Sequence, residues 1–176
     1  MSYAGRLRDW WTNSTVQAFE ERAQCVARQY SKYYVYDANG QKVYVNGNLT
    51  NGEDIADSGL AQAYGAWKAS LKTSADQTGL RLPGLDFSED QLFFISFARI
   101  WANLIRPASA VSRVRTDPHS PAYWRVTGPL RNMEAFHKAF GCKTGSPVSG
   151  QQWMVCGELI SNDQMNPPKT DQCELW

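Results

Sequence analysis

The chain has 176 residues, 43% of them hydrophobic and 20% charged, with a formal net charge of +1. That length suits one domain with a sizeable core, and that balance excludes a disordered segment. Lysines and arginines are scattered, so no basic stripe points to nucleic acid or to an anionic membrane.

Aromatic residues reach 12%, with seven tryptophans, which points to a deep core or an aromatic-lined cleft. No apolar run is long enough to span a bilayer, and Met1-Ser2-Tyr3-Ala4 does not open a signal peptide. Asn13-Ser14-Thr15 and Asn48-Leu49-Thr50 are N-glycosylation acceptors, so Asn13 and Asn48 argue for a secretory origin. The four cysteines, Cys25, Cys142, Cys156 and Cys173, include no CxxC, which disfavours a cysteine-rich zinc site.

Thr12 is a plausible N-cap. Behind it Val16, Phe19, Ala23, Val26, Ala27 and Tyr30 recur at helical spacing, in a helix carrying Cys25. Asp37-Ala38-Asn39-Gly40 reads as a turn and Val43-Tyr44-Val45 as a short strand. A second helix is expected from near Asn51 to about Lys72, and Thr73 to Gly84 as a loop. Ser88-Glu89-Asp90-Gln91 is a capping box. The segment after it, Leu92 to Ile105, is apolar almost all round and predicts a helix buried on most faces, ended by Pro107. Ala108 to Arg115 predicts a short helix, and Trp124-Arg125-Val126 a brief strand. Asn132 to Phe140 predicts a short helix with Met133, Phe136 and Phe140 on its apolar side. From Gly141 onward the pattern is irregular, and there is no internal repeat.

Two stretches carry candidate chemistry. In Asn51-Gly52-Glu53-Asp54-Ile55-Ala56-Asp57, the carboxylates of Glu53 and Asp57 stand four residues apart. On a helix they share one face, where like charges repel unless a cation compensates them. A metal would do so, with Glu53 as ligand and Asp57 orienting a second ligand. The plainer reading is a capping box, with Thr50 as N-cap and Glu53 three residues on. The second stretch is Asp117-Pro118-His119-Ser120-Pro121, where two prolines hold a loop histidine in place. Such a histidine can donate to a developing oxyanion, and a nearby arginine can hold a carbonyl. His137, off the apolar stripe of its helix, is expected to be solvated.

Taken together, these motifs resemble the C-terminal part of the neprilysin and endothelin-converting-enzyme family of zinc endopeptidases. The matching pieces run in family order. They are Gly5 to Thr12, Val45 to Asp57, Leu82 to Leu85, Gln91 to Phe94, Asp117 to Pro121 with Arg125 and Val126, and Met165-Asn166-Pro167 before Cys173 to Trp176. The resemblance implies a mainly α fold with a few short strands, part of a thermolysin-like catalytic domain. It implies that Glu53 is a zinc ligand and that Asp57 orients a zinc-binding histidine. His119 would stabilise the oxyanion, and Arg125 would grip the substrate backbone. Ile100 and Trp101 would line the apolar pocket for the residue after the scissile bond. The mechanism implied is attack on the peptide carbonyl by a zinc-bound water that a glutamate deprotonates. It further implies a Cys25–Cys173 disulfide, with Cys142 unpaired or joined to Cys156.

Three departures qualify this. The family's HExxH helix, with two zinc ligands and the general base, is missing, because His119 and His137 are the only histidines. The family pattern places that helix just before Gly5. Ser58-Gly59-Leu60 has one glycine where the family usually has two, a shift of about 100° along a helix that a kink at Gly59 would absorb. Val148 to Gln164 match nothing in the family and read either as a retained intron or as a surface loop insertion. The expectation is therefore one partial catalytic domain over 1–176. It belongs to an extracellular or membrane-anchored peptidase acting on peptides, with zinc in the complete protein and little or none held by this chain alone. The rival is a non-catalytic fragment, pseudoenzyme or binding module.

Overall fold

A computed structural model of the chain describes residues 9–73, 82–142 and 172–173. Seven helices and one hairpin follow in order among them: α1 (Asn13–Tyr30), β1 (Tyr34–Tyr36), β2 (Lys42–Tyr44), α2 (Gly47–Ser58), α3 (Leu60–Thr73), α4 (Glu89–Ile100), α5 (Pro107–Thr116), α6 (Ala122–Leu130) and α7 (Glu134–Phe140). The fold is mainly α, as expected. The expectations for Val148 to Gln164 and for Cys156 lie outside the described residues.

Local chemistry starts and stops most of these elements. The Thr12 hydroxyl accepts the Thr15 N–H and opens α1. Ser88 and Gln91 close a reciprocal capping box on α4. Gly141, at φ 66°, ends α7 in the left-handed conformation that a side chain would resist. In the hairpin turn, Asp37 Oδ1 accepts N–H groups from Asn39 and Gln41, both at 2.8 Å. The strands pair antiparallel with Tyr34 opposite Tyr44, Val35 opposite Val43 and Tyr36 opposite Lys42.

Several expectations are corrected. The helix containing Glu53 begins at Gly47, not Asn51, because the Asn46 side chain accepts the Asn48 and Leu49 N–H groups. Thr50 is therefore inside the helix, and the Thr50–Glu53 capping box does not form. This helix does not continue to Lys72: it stops at Ser58, Gly59 interrupts it, and α3 starts at Leu60. The third helix ends at Ile100, not Ile105, and is not buried on most faces. Ile100 and Leu104 are largely exposed, because only the Phe94 and Ala98 side of α4 meets a core. Pro107 opens α5 instead of merely ending α4, since the first helical position has no N–H to satisfy. Trp124-Arg125-Val126 is helical, within α6. Its aromatic and β-branched residues favour a strand, but burial of Trp124, Val126 and Leu130 overrides that preference. His137 is buried, not solvated, at 5% exposure.

Two apolar cores share α6. One packs Tyr30, Tyr33, Val45, Val114 and Trp124 together with Cys173. Tyr33 stacks on Trp124 with ring centroids 4.1 Å apart and planes 4° from parallel. The Trp124 indole N–H donates to the Tyr34 carbonyl at 2.8 Å, which pins α6 to the hairpin. The other core gathers Leu60, Phe94, Val126, Leu130 and Phe136. Between them runs a polar thread: Gln29 donates to the Gly128 carbonyl, and Asn132 donates to Gln29. Cys25 on α1 is joined to Cys173 by a disulfide spanning 148 residues of sequence. Cys142 is disulfide-bonded as well, so it is not unpaired. No helix among the described residues is long and apolar enough to cross a membrane.

Candidate functional site

Helix α2 presents Glu53 and Asp57 on one face, and the compensating cation is Arg125 of α6. The Arg125 guanidinium donates from Nε to Asp57 Oδ2 at 2.6 Å and from Nη2 to Asp57 Oδ1 at 2.8 Å. The same Nη2 lies 3.6 Å from Glu53 Oε2. One arginine thus answers both carboxylates, and it is bidentate to the better buried of them. The hydrogen bonds to Asp57, ahead of the charges of Asp57 and Glu53, raise the Arg125 pKa above its already high ordinary value. Below the guanidinium lies the Trp101 ring, its centroid 4.1 Å from Cζ. Trp101 is placed there by the last turn of α4, which it caps.

His119 enters from the loop between α5 and α6. Asp117 Oδ1 accepts both its backbone N–H, at 3.0 Å, and its ring Nδ1, at 2.7 Å. These bonds, the backbone one foremost, hold the Asp117 carboxyl below its ordinary pKa. With Nδ1 spent on Asp117, Nε2 faces Glu53 Oε2 at 3.4 Å. Both side chains remain accessible, at 47% and 42% exposure, so a third group can reach the gap between them. Glu53, Asp57, His119, Arg125 and Trp101, far apart in sequence, therefore form one cluster.

Ile100 does not join it. It is 76% exposed and borders a separate apolar groove of 520 Å³ with Leu60, Trp67, Leu92, Phe93 and Phe97, between α3 and α4. Asn13 and Asn48 are exposed in the first turns of α1 and α2. Two participants escaped the sequence reading. Asp117 was legible as an Asx turn two residues before His119, a spacing that lets an aspartate accept a local N–H. Asp54 was hidden in plain sight between Glu53 and Asp57, and its role depends on burial alone: it is fully buried, and its Oδ2 accepts the Thr50 hydroxyl at 2.7 Å.

The donor set bears directly on zinc. A catalytic zinc takes three protein ligands and a water. Among the described residues no group of three or more histidine, cysteine, aspartate or glutamate side chains is placed to hold a metal ion. Glu53 offers an accessible carboxylate, while Asp57 is engaged by Arg125 and His119 Nδ1 by Asp117. The described residues therefore do not make a zinc site on their own.

Residues 1–155 match the model of peptidase family M13. The chain is 40% identical over 173 residues to Neprilysin-2 of Caenorhabditis elegans, covering 98% of this chain and 20% of that protein. It is 38% identical to human neprilysin over the same length, and 40% identical to human endothelin-converting enzyme 1, covering 20% and 19% of them. Among solved structures it superposes on the Mycobacterium tuberculosis zinc metalloprotease ZMP1 bound to an inhibitor, with a TM-score of 0.74 and 28% identity, over 97% of this chain and 23% of that one. A Haemonchus galactose-containing glycoprotein complex gives 0.73 at 32% identity, over 93% and 24%. The chain belongs to peptidase family M13. It spans about a fifth of the length of the curated relatives it matches.

Proposed function

We propose that this chain is the C-terminal portion of the catalytic domain of a neprilysin-like zinc endopeptidase, which cleaves peptides on the amino side of apolar residues in an extracellular or membrane-ectodomain setting. The observation that supports it most is the convergence of Glu53, His119 and Arg125, from three separate elements, around one accessible gap. In this reading Glu53 is one ligand of a zinc whose other ligands and general base lie on an HExxH helix outside this sequence. His119, held by Asp117 at Nδ1–H, donates from Nε2 to a developing oxyanion when both ring nitrogens carry a proton. Arg125, held by Asp57 and Trp101, has donors left to grip a substrate carbonyl. Asp57 has a second lone pair on each oxygen for a metal-binding histidine. Trp101, under Arg125, borders the side on which an apolar substrate residue enters, whereas Ile100, expected beside it, lines the separate groove between α3 and α4.

By itself the 176-residue chain is expected neither to hold zinc tightly nor to hydrolyse peptides, since one ligand cannot supply most of the metal's binding free energy. The exposed apolar groove between α3 and α4 should also make the isolated chain prone to association. The test compares this chain alone with a chimaera joining it to the HExxH-bearing part of human neprilysin, by metal analysis and a peptidase assay. The chimaera should bind zinc and cleave. Glu53→Ala should then lose metal, and His119→Ala should keep metal but lose rate. Stoichiometric zinc with chelator-sensitive cleavage by the chain alone would overturn the incomplete-site reading, and a chimaera whose Glu53→Ala variant keeps full zinc would remove Glu53 from the ligand set.

A further inference from the structure

Behind the accessible pair lies a second, buried one. Glu53 and His119 face the gap, while their chain neighbours Asp54 and Ser120 face inward, at 0% and 4% exposure. Burying a carboxyl in an apolar interior is costly unless its oxygens find donors. Asp54 Oδ2 has the Thr50 hydroxyl. Asp54 Oδ1 and Ser120 Oγ are both buried without a hydrogen bond of good geometry, and so is the Tyr30 hydroxyl of α1. Asp54 and Ser120 each adjoin one member of the Glu53–His119 pair, whose facing atoms lie 3.4 Å apart, so the two buried oxygens lie behind the same contact.

We propose that Asp54 and Ser120 form a buried polar clasp, direct or through one water, that holds the His119 loop against α2 and so sets the Glu53–His119 separation. Both are positioning residues: neither reaches the gap, and each adjoins a residue that does. The geometry allows no easy substitute. Pro118 and Pro121 stiffen the loop, so a fixed Ser120 leaves His119 little freedom. Asp54 is one residue from Glu53 on a rigid helical turn, so its anchor point moves with Glu53. A water with three or four polar partners here matches what ordered interior waters require. The alternative is that Asp54 serves only the helix, through its i−4 bond to Thr50, in which case Ser120 should not matter to Glu53 or His119.

The functional meaning of the clasp rests on the reading of Glu53 and His119 as site partners, but the clasp itself is testable on the 176-residue chain without metal or substrate. The readout is the nuclear Overhauser contact between the His119 ring protons and the Glu53 side chain, in isotope-labelled protein. Ser120→Ala, which removes one hydroxyl, and Asp54→Ala should both lose that contact. Asp54→Asn, which keeps an acceptor in the same place, should restore it. Phe136→Leu, which loosens the other core on α7, should leave it unchanged. If Asp54→Ala does not fold, Ser120→Ala and Asp54→Asn still decide. The clasp is overturned if the contact survives in Ser120→Ala, if Asp54→Asn loses it, or if Phe136→Leu loses it equally. None of these results depends on whether the chain takes part in proteolysis.

Discussion

Arg125 and Asp57 are joined by two parallel hydrogen bonds, at 2.6 and 2.8 Å, with 12% and 9% of their side chains exposed. The pair ties α6 to α2 and thereby sets the orientation of the whole cluster. Removing one partner of a well-buried pair leaves the other charge without compensation, which typically costs about 3–5 kcal/mol. Arg125→Ala should therefore lower stability by about 3 kcal/mol, allowing for the residual exposure. Arg125→Lys keeps the charge but not the fork or the stacking on Trp101, and should cost about 1–2 kcal/mol. Urea unfolding of both variants checks the order. Equal stabilities for the lysine variant and the parent would show that the second bond contributes nothing.

The stability of the metal-free chain should depend on pH through Asp54. Burial raises its carboxyl to about 7 in the folded chain. The unfolded chain releases that proton near the ordinary carboxyl value, about 3.9. Between those two values the folded state binds more protons than the unfolded one, so stability falls as pH rises through the window, by up to about 1.4 kcal/mol per pH unit. Asp54→Asn cannot ionise and should remove this slope, becoming the more stable protein at neutral pH. Denaturation midpoints of parent and variant across the window check the sign, and parallel curves would refute it.

The Cys25–Cys173 bridge closes most of the chain, joining cysteines 148 positions apart in sequence. In the chain-entropy account a loop of that length is worth about 4–5 kcal/mol, although calorimetry assigns part of such gains to enthalpy. Cys25→Ser with Cys173→Ser should lower the thermal midpoint substantially. Peptide mapping under non-reducing conditions should recover a fragment containing both cysteines.

Gly128 on α6 has no room for a side chain, because an added Cβ would run into the hydroxyl of buried Tyr30. Gly128→Ala should cost about 1–3 kcal/mol by overpacking. Tyr30→Phe removes the nearest obstructing atom but leaves ring Cζ 2.5 Å from the added Cβ. The double variant should therefore be only partly relieved, by less than the full cost of Gly128→Ala, relative to the sum of the two single changes. A double-mutant cycle measures that coupling, and strict additivity would mean that the strain is absorbed elsewhere.

Much of the site was legible in the linear order of residues. Arg125 and the role expected of each residue came from the family resemblance, whereas the i, i+4 carboxylates and the proline-bracketed histidine are local patterns that residue type and spacing mark out. Capping signals were legible for the same reason at Thr12 and at Ser88-Gln91, where one side chain satisfies a backbone group three positions away. The cap of α2 was expected at Thr50, and the competing Asn46, four residues earlier, was not weighed. Asn46 captured two N–H groups and carried the start of α2 past Thr50, freeing that hydroxyl for Asp54. The sequence could not say that Trp124 to Val126 would be helical, since that outcome depends on Tyr33 and Tyr34, some ninety residues earlier in the chain. The burial of Asp54, Ser120 and His137, the exposure of Ile100, and the meeting of Glu53 with His119 belong to the tertiary structure alone. Periodicity reports which face of an element is apolar, whereas solvent exposure and charge partnership depend on which other element arrives to cover it.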